Sequence, residues 1–227
     1  NSNHRYHKWK NLIHGFEPMA ANQLWVADIT YIMLNNGDVC YLHLITDAYS
    51  RMIVGWELAD TLRASITIKA LEQAISQTGG VSLEDLTHHS DRGVQYCCDD
   101  YVRMLQTHKI KISMTEDYNP TDNAIAERAN GVIKTETVYS RKTFNSLEHA
   151  RNVIGRFIHF YNYRRPHMSI GYKIPAVVHT ETGAQKKMWK KKNYPKKAYN
   201  NGNNGISLPC RTTGADDGCN HHTVYSI

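Results

Sequence analysis

The sequence predicts an α/β fold, a mixed sheet flanked by helices, with a basic low-complexity tail behind it. Three observations carry that prediction. Residues 24–58 hold three apolar, β-branched and aromatic runs in succession; residues 64–163 alternate helical periodicity with short apolar runs; and beyond residue 180 periodicity ends.

The first runs, 24–34 (LWVADITYIML), 39–46 (VCYLHLIT) and 51–58 (RMIVGWEL), are separated by Asn35-Asn36-Gly37-Asp38 and Asp47-Ala48-Tyr49-Ser50. Such short polar breaks join antiparallel strands through tight turns. Residues 64–77 place Ile66, Ala70, Leu71, Ala74 and Ile75 at helical spacing and stop at Gly79-Gly80. A short strand over 85–90, a helix over 97–108 and a strand over 110–114 follow, then helices over 122–139 and 147–163. In the last, Leu147, Ala150, Val153, Ile154, Phe157, Ile158 and Tyr161 form one apolar stripe, the mark of a packing face. Residues 1–20 read as a basic linker, 21–180 as the folded core and 181–227 as a tail. The tail's WKKKNYPKKAYNNGNNG has no periodicity and is expected to be disordered.

Composition excludes several classes. At 41% hydrophobic and 10% aromatic residues the chain can bury a core, so wholesale disorder is excluded. No apolar run approaches the ~18 residues that span a bilayer, so no membrane role is expected. The opening NSNHRYHKWK is not a signal peptide, and its lack of a Met reads as a fragment of a longer product. Five cysteines without a CxxC argue against a disulfide framework and for a reducing cytoplasm.

The net charge of +6 is unevenly placed. Residues 11–127 carry 7 basic and 16 acidic side chains, residues 128–180 carry 9 and 2, and residues 181–227 carry 8 and 3. An acidic body followed by a basic half is compatible with ordinary surface charge. It is also what an acidic metal site beside a polyanion-binding surface requires.

Three carboxylates stand out. Asp28 interrupts an apolar strand, sharing a face with Leu24, Val26 and Thr30, and a carboxylate there is unfavourable unless compensated. Asp91 closes the short strand in His88-His89-Ser90-Asp91-Arg92-Gly93, a strand end where α/β folds present chemistry. Glu127 lies on a helix entered through Pro120, with Thr121 or Asp122 as its cap, and shares one side with Asn123, Asn130 and Lys134. Glu136 points away from Glu127. Asp47, Glu57 and Asp60 are rival acids at other spacings. Taken singly, each of the three has an ordinary structural explanation.

Together they resemble a family. Trp25-Val26-Ala27-Asp28-Ile29-Thr30-Tyr31, His89-Ser90-Asp91-Arg92-Gly93 and Asp122-Asn123-Ala124-Ile125-Ala126-Glu127 are similar to the integrase-core signatures of bacterial insertion-sequence DDE transposases, within the retroviral-integrase superfamily. Tyr161-Asn162-Tyr163-Arg164-Arg165-Pro166-His167 and Gly171-Tyr172-Lys173-Ile174-Pro175-Ala176 extend the resemblance, which runs from about residue 20 to 180. It implies a ribonuclease H-like fold and polynucleotidyl transfer at the ends of a mobile element. It implies Asp28, Asp91 and Glu127 as catalytic residues and as ligands of two Mg²⁺ or Mn²⁺ ions. Hard divalent ions take oxygen donors, and a pair of them suits phosphodiester chemistry.

DNA contacts are expected from Lys134, from Arg164, Arg165 and His167 after the last long helix, and from Asn123 and Asn130. Lys134 as a partner of a helix carboxylate, and the 164–167 cluster as cations at a helix C-terminus, are the plainer alternatives. The implied partners are DNA, further copies of the chain, and a helix-turn-helix region on a missing amino-terminal part or a separate subunit. The rival functions are a nuclease that cuts without joining strands and an inactive DNA-binding relic. A zinc site built from His4, His7 and His14, or from Cys210, Cys219, His221 and His222, lacks ligand spacing.

Overall fold

The computed structural model describes residues 3–116, 123–138 and 144–185, all within one compact unit. Strands β1 (Leu24–Met33), β2 (Val39–Asp47) and β3 (Ile53–Ala59) form an antiparallel meander. Helix α1 (Ala64–Gln77) leads to β4 (Thr87–Ser90), which pairs parallel with β1. The short α2 (Val94–Cys97) and α3 (Asp99–Thr107) then lead to β5 (Lys111–Met114), parallel to β4. The sheet order is β3-β2-β1-β4-β5, so β1 is central and the sheet is mixed, as the sequence predicts. Helices α4 (Ala124–Ile133), α5 (Leu147–Tyr163) and α6 (Pro175–Val178) complete the fold.

Alternation along β1 assigns the two faces. Trp25 and Ala27 are fully buried with Leu71 and Ala74 of α1 and Tyr101 and Leu105 of α3. On the other face Ile32 joins Leu42, Leu44, Ile53 and Leu58 under Ile154, Ile158 and Tyr161 of α5, while Leu24 and Val26 meet Ala126 of α4. The apolar stripe of α5 is therefore a packing face. On the first side α1 approaches β3 closely enough that a Cβ at Gly55 would sit 2.1 Å from the carbonyl oxygen of Ala70.

Both sheet edges are protected from pairing with another chain. Along β3, the buried Asn162 of α5 accepts from the Ile53 N–H and donates to the Ile53 carbonyl, each at 2.9 Å. Along β5, the Met114 N–H donates to the Lys10 carbonyl and the Leu12 N–H to Ser113 Oγ. Tyr6 and Trp9 pack on the core beside them. Residues 3–12 thus lie against the core, where the sequence reads as a linker. A Lys-rich stretch with two aromatics has no periodicity to announce such packing.

Helix α4 starts later than predicted, with Asn123 at its N-cap position; Thr121 and Asp122 lie outside the described residues. It ends in a π-helical turn, Lys134–Val138. The tail beyond residue 185, with Cys210, Cys219, His221 and His222, also lies outside them.

Candidate active site

The register of β1 and β4 brings two of the three acids together. Leu24 pairs with Thr87 and Val26 with His89, so two residues further on Asp28 stands opposite Asp91, where the strands part. Neighbouring strands lie about 4.8 Å apart. Asp28 and Asp91 line one groove of about 270 Å³ with Tyr31, Gln95 and Tyr96. Glu127 reaches the same region from the exposed side of α4.

Burial raises the Asp28 carboxyl to a pKa of about 6. Hydrogen bonds from Asn130 Nδ2 to Oδ2 (2.7 Å) and from the Ile29 N–H to Oδ1 (2.9 Å) oppose that rise, while the charges of Asp91 and Glu127 add to it. Asp91 Oδ1 accepts from the Gly93 N–H at 2.9 Å. Burial, and to a smaller extent the charges of Asp91 and Glu127, therefore disfavour the ionised form of Asp28.

The side of α4 predicted to carry Asn123, Glu127, Asn130 and Lys134 does face this region. Asn123 and Asn130 are both buried there. Asn123 donates to the Ala27 carbonyl (3.1 Å) and Asn130 to Asp28, so both fix α4 against β1. Their Oδ1 atoms are buried without a hydrogen-bond partner. The Lys134 ammonium lies 4.1 Å from the centre of the Tyr31 ring; burial lowers its pKa and the nearby Asp28 charge opposes that.

The 164–167 cluster divides. Arg164 is exposed at the end of α5. Arg165 is paired with Glu136, which explains why Glu136 is no part of the acid group. His167 is buried, caps a 3₁₀ turn over Met168–Ile170 and accepts from Ser169 Oγ at 2.8 Å. Burial and three nearby arginines lower its pKa to about 4, which favours the neutral imidazole at pH 7. The rival acids are accounted for in part: Asp47 is fully buried and accepts from the Asn22, Tyr49 and Ser50 N–H groups, and Glu57 pairs with Arg151. His88 accepts or donates at 2.9 Å with the Tyr101 hydroxyl in the core. Tyr31, Gln95 and Tyr96 were not singled out by sequence, since groove residues on a strand and a distant short helix share no spacing.

Comparison with known proteins now has a geometry to meet. Two family models, each described as an integrase core domain, match residues 18–120 and 108–175. The chain belongs to the integrase core domain family. It is 37% identical over 174 residues to a Mycobacterium tuberculosis protein designated transposase for insertion sequence element IS986/IS6110. That match covers 75% of this chain and 62% of the relative. It is 31% identical over 157 residues to the Escherichia coli K12 transposase InsF for insertion sequence IS3A, covering 69% and 53%. The integrase core here thus spans less than two thirds of either relative's length.

Solved structures agree on the fold. A chain of the simian T-cell lymphotropic virus intasome superposes with a TM-score of 0.62 at 20% identity, over 80% of this chain and 61% of that one. The HTLV-2 integrase catalytic core, solved in complex with magnesium, gives 0.56 at 20% identity, over 72% and 99%. The integrase core is a ribonuclease H-like fold, as the motifs imply. Among the described residues no helix is long and apolar enough to cross a membrane.

Proposed function

We propose that the chain is the catalytic domain of a DDE transposase, which cuts DNA at the ends of an insertion sequence and joins the freed ends to a target. The observation that carries this is the meeting of Asp28 and Asp91 on adjacent strands, with Glu127 brought to them by α4. Residues 21–180 are the catalytic region. Recognition of the element ends falls to a helix-turn-helix elsewhere in the full protein or on a partner, acting as an oligomer on DNA in the cytoplasm.

The residues fit divalent cations by donor chemistry. Asp28, Asp91 and Glu127 offer only oxygen donors, the kind that hard divalent cations take, and a cation would favour the ionised form of the buried Asp28. The unpartnered Oδ1 atoms of Asn123 and Asn130 are acceptors suited to the waters of a hydrated ion. Among the described residues no three such side chains are already set in ligand geometry, and both Asp28 oxygens accept protein hydrogen bonds. The three acids would hold two Mg²⁺ or Mn²⁺ ions. When bound, such ions polarise the attacking oxygen and stabilise the leaving one.

The chain's own groups do the rest. Asn130 holds the Asp28 carboxylate toward the groove, and Lys134 and Arg164 offer cations to the phosphates that flank it. In the first reaction the oxygen of water forms a P–O bond as the bond from phosphorus to the 3′ oxygen breaks, leaving a 5′-phosphate and a protonated 3′-hydroxyl. In the second the freed 3′-hydroxyl attacks a target phosphodiester, so one P–O bond forms as another breaks and no protein nucleophile is used.

The test supplies the full protein with Mg²⁺, DNA from the borders of its own element, precleaved at the 3′ ends, and a target plasmid. Joined products that disappear with Asp91→Asn support the proposal. Cutting without any joined product would sink it in favour of a nuclease, and activity unchanged by Asp91→Asn would displace the site.

A further inference from the structure

Resting on the reading of the chain as a DNA-joining enzyme, we infer that a cavity beside α4 receives one unstacked nucleotide of the bound DNA strand. The cavity, of about 600 Å³, is separate from the acid groove. It is bounded by Ala124, Ile125 and Ala129 of α4, by Arg51 and Arg128, and by Tyr161 and Tyr172. That volume is of the size that takes small organic ligands.

The lining has the two halves of a nucleotide's chemistry. Arg51, Arg128 and Arg165 supply charge for a phosphate; Glu136 already engages Arg165, and the buried Asp47 lies near Arg51, so Arg128 is the cation least committed to protein. Their convergence is felt by His167, whose imidazole all three arginines hold in the neutral form along with burial. The exposed ring of Tyr172 and the small apolar residues of α4 supply surfaces on which a base stacks. A lone phosphate would need no aromatic walls, and an apolar ligand no arginines.

Two independent features mark the cavity as built for a ligand. Arg51 Nη1 and Thr46 Oγ1, of residues lining it, are buried without a hydrogen-bond partner. Polar groups left unpaired on residues that line a cavity are what a nucleotide would satisfy. Arg51 and Tyr172 also hold left-handed backbone, at φ 67° and 61°. Only four non-glycine residues do so among those described, and these two face one cavity. A bulky side chain in that region is strained, and such strain persists where a side chain must be aimed.

Position fits as well. Glu127 and Arg128 are consecutive, so the cavity and the acids lie on neighbouring sides of one helix. A helix with its side chains is about 10–12 Å across, a reach of one or two nucleotides along an extended strand. A strand placed at the acids can therefore turn a nearby base into the cavity.

The experiment uses the full chain with Ca²⁺ and forked DNA from the element borders, carrying iododeoxyuridine at one position at a time, and maps photo-crosslinks by mass spectrometry. One position is expected to crosslink to Tyr172. Tyr172→Ala is expected to weaken binding about 5- to 100-fold on intact DNA and by less than twofold on DNA abasic at that position. Arg128→Gln should lower the slope of log affinity against log salt by about 0.7. Misfolding would also shift both DNAs equally, so equal losses are read only from a Tyr172→Ala protein whose thermal unfolding matches that of the unsubstituted one. Crosslinks confined to the acid groove, or equal losses on intact and abasic DNA, overturn the cavity's role and leave the DNA reading standing. Failure of the unsubstituted protein to bind any DNA at low salt overturns both.

Discussion

Replacing Asn162 tests whether the buried polar residue of the Tyr161–His167 segment clamps the sheet edge. Its amide bonds both backbone groups of Ile53 at 2.9 Å, at 5% exposure, joining residues 109 apart in sequence. Asn162→Ala leaves an N–H and a C=O on the sheet edge buried without partners. Each such group costs about 1–3 kcal/mol. A combined loss of about 2–4 kcal/mol is expected, a large share of the roughly 5–15 kcal/mol that holds a domain folded.

Asn162→Asp sharpens the test. A carboxylate still accepts from the Ile53 N–H but faces the Ile53 carbonyl with no proton to offer, so its folded pKa must rise above the unfolded ~3.9. A raised acid pKa penalises the fold above the unfolded value, and the penalty lifts as pH falls through the folded one. Urea unfolding should therefore show this variant far below the unsubstituted protein at pH 7 and closing on it near pH 5. Equal midpoints at pH 7 for all three proteins would refute the clamp. A deficit for the Asp variant that does not change with pH would refute the hydrogen-bond account of it.

Three further outcomes are expected. Burial lowers His43 and His167 to a pKa of about 4 and His88 to about 3, whereas Asp28 is raised to about 6. Near pH 5 the unfolded chain then binds about two more protons than the folded one, and stability should fall by up to about 2.7 kcal/mol per unit of acidification; a flat urea midpoint between pH 6.5 and 5 would contradict this. Lys134→Gln should reduce the salt slope of DNA affinity by about 0.9 if the ammonium meets a phosphate, and an unchanged slope would confine it to Tyr31 and Asp28. Gly55→Ala drives a Cβ into the Ala70 carbonyl, and a loss of about 3 kcal/mol is expected in thermal unfolding; an unchanged Tm would show that α1 can retreat.

Elements with a long period were legible. The helices over 64–77 and 147–163 occupy the predicted residues, because apolar spacing and a terminating Gly pair or a Ser cap mark both ends. Short elements were not. The helix predicted over 97–108 is α2 and α3, broken at Cys98, and the end of α4 is a π-helical turn; neither four or five residues contain a period to read. At the candidate site, Asp28 and Asp91 were legible as acids placed where apolar strands tolerate them poorly. The burial of Asn123, Asn130 and His167 was not. Their residue types are equally at home on a polar surface, and only the packing of α4 and α5 against the sheet decides between the two.

The charge pattern along the chain takes on a different meaning once folded. The excess of acids before residue 128 and of cations after it looks like two separate surfaces. Helix α4 undoes that separation, since residues turn about 100° from one to the next. Glu127 and Asn130 therefore face Asp28, Arg128 lines the cavity with Arg51, and Ala126 and Val132 are buried in the core. One helix sets acid chemistry, a cationic cavity and core packing side by side at fixed angles. Inserting a residue within it would turn every later side chain by about 100° relative to the earlier ones, which is why the spacing of Asn123, Glu127 and Asn130, and not merely their presence, carries the information about function.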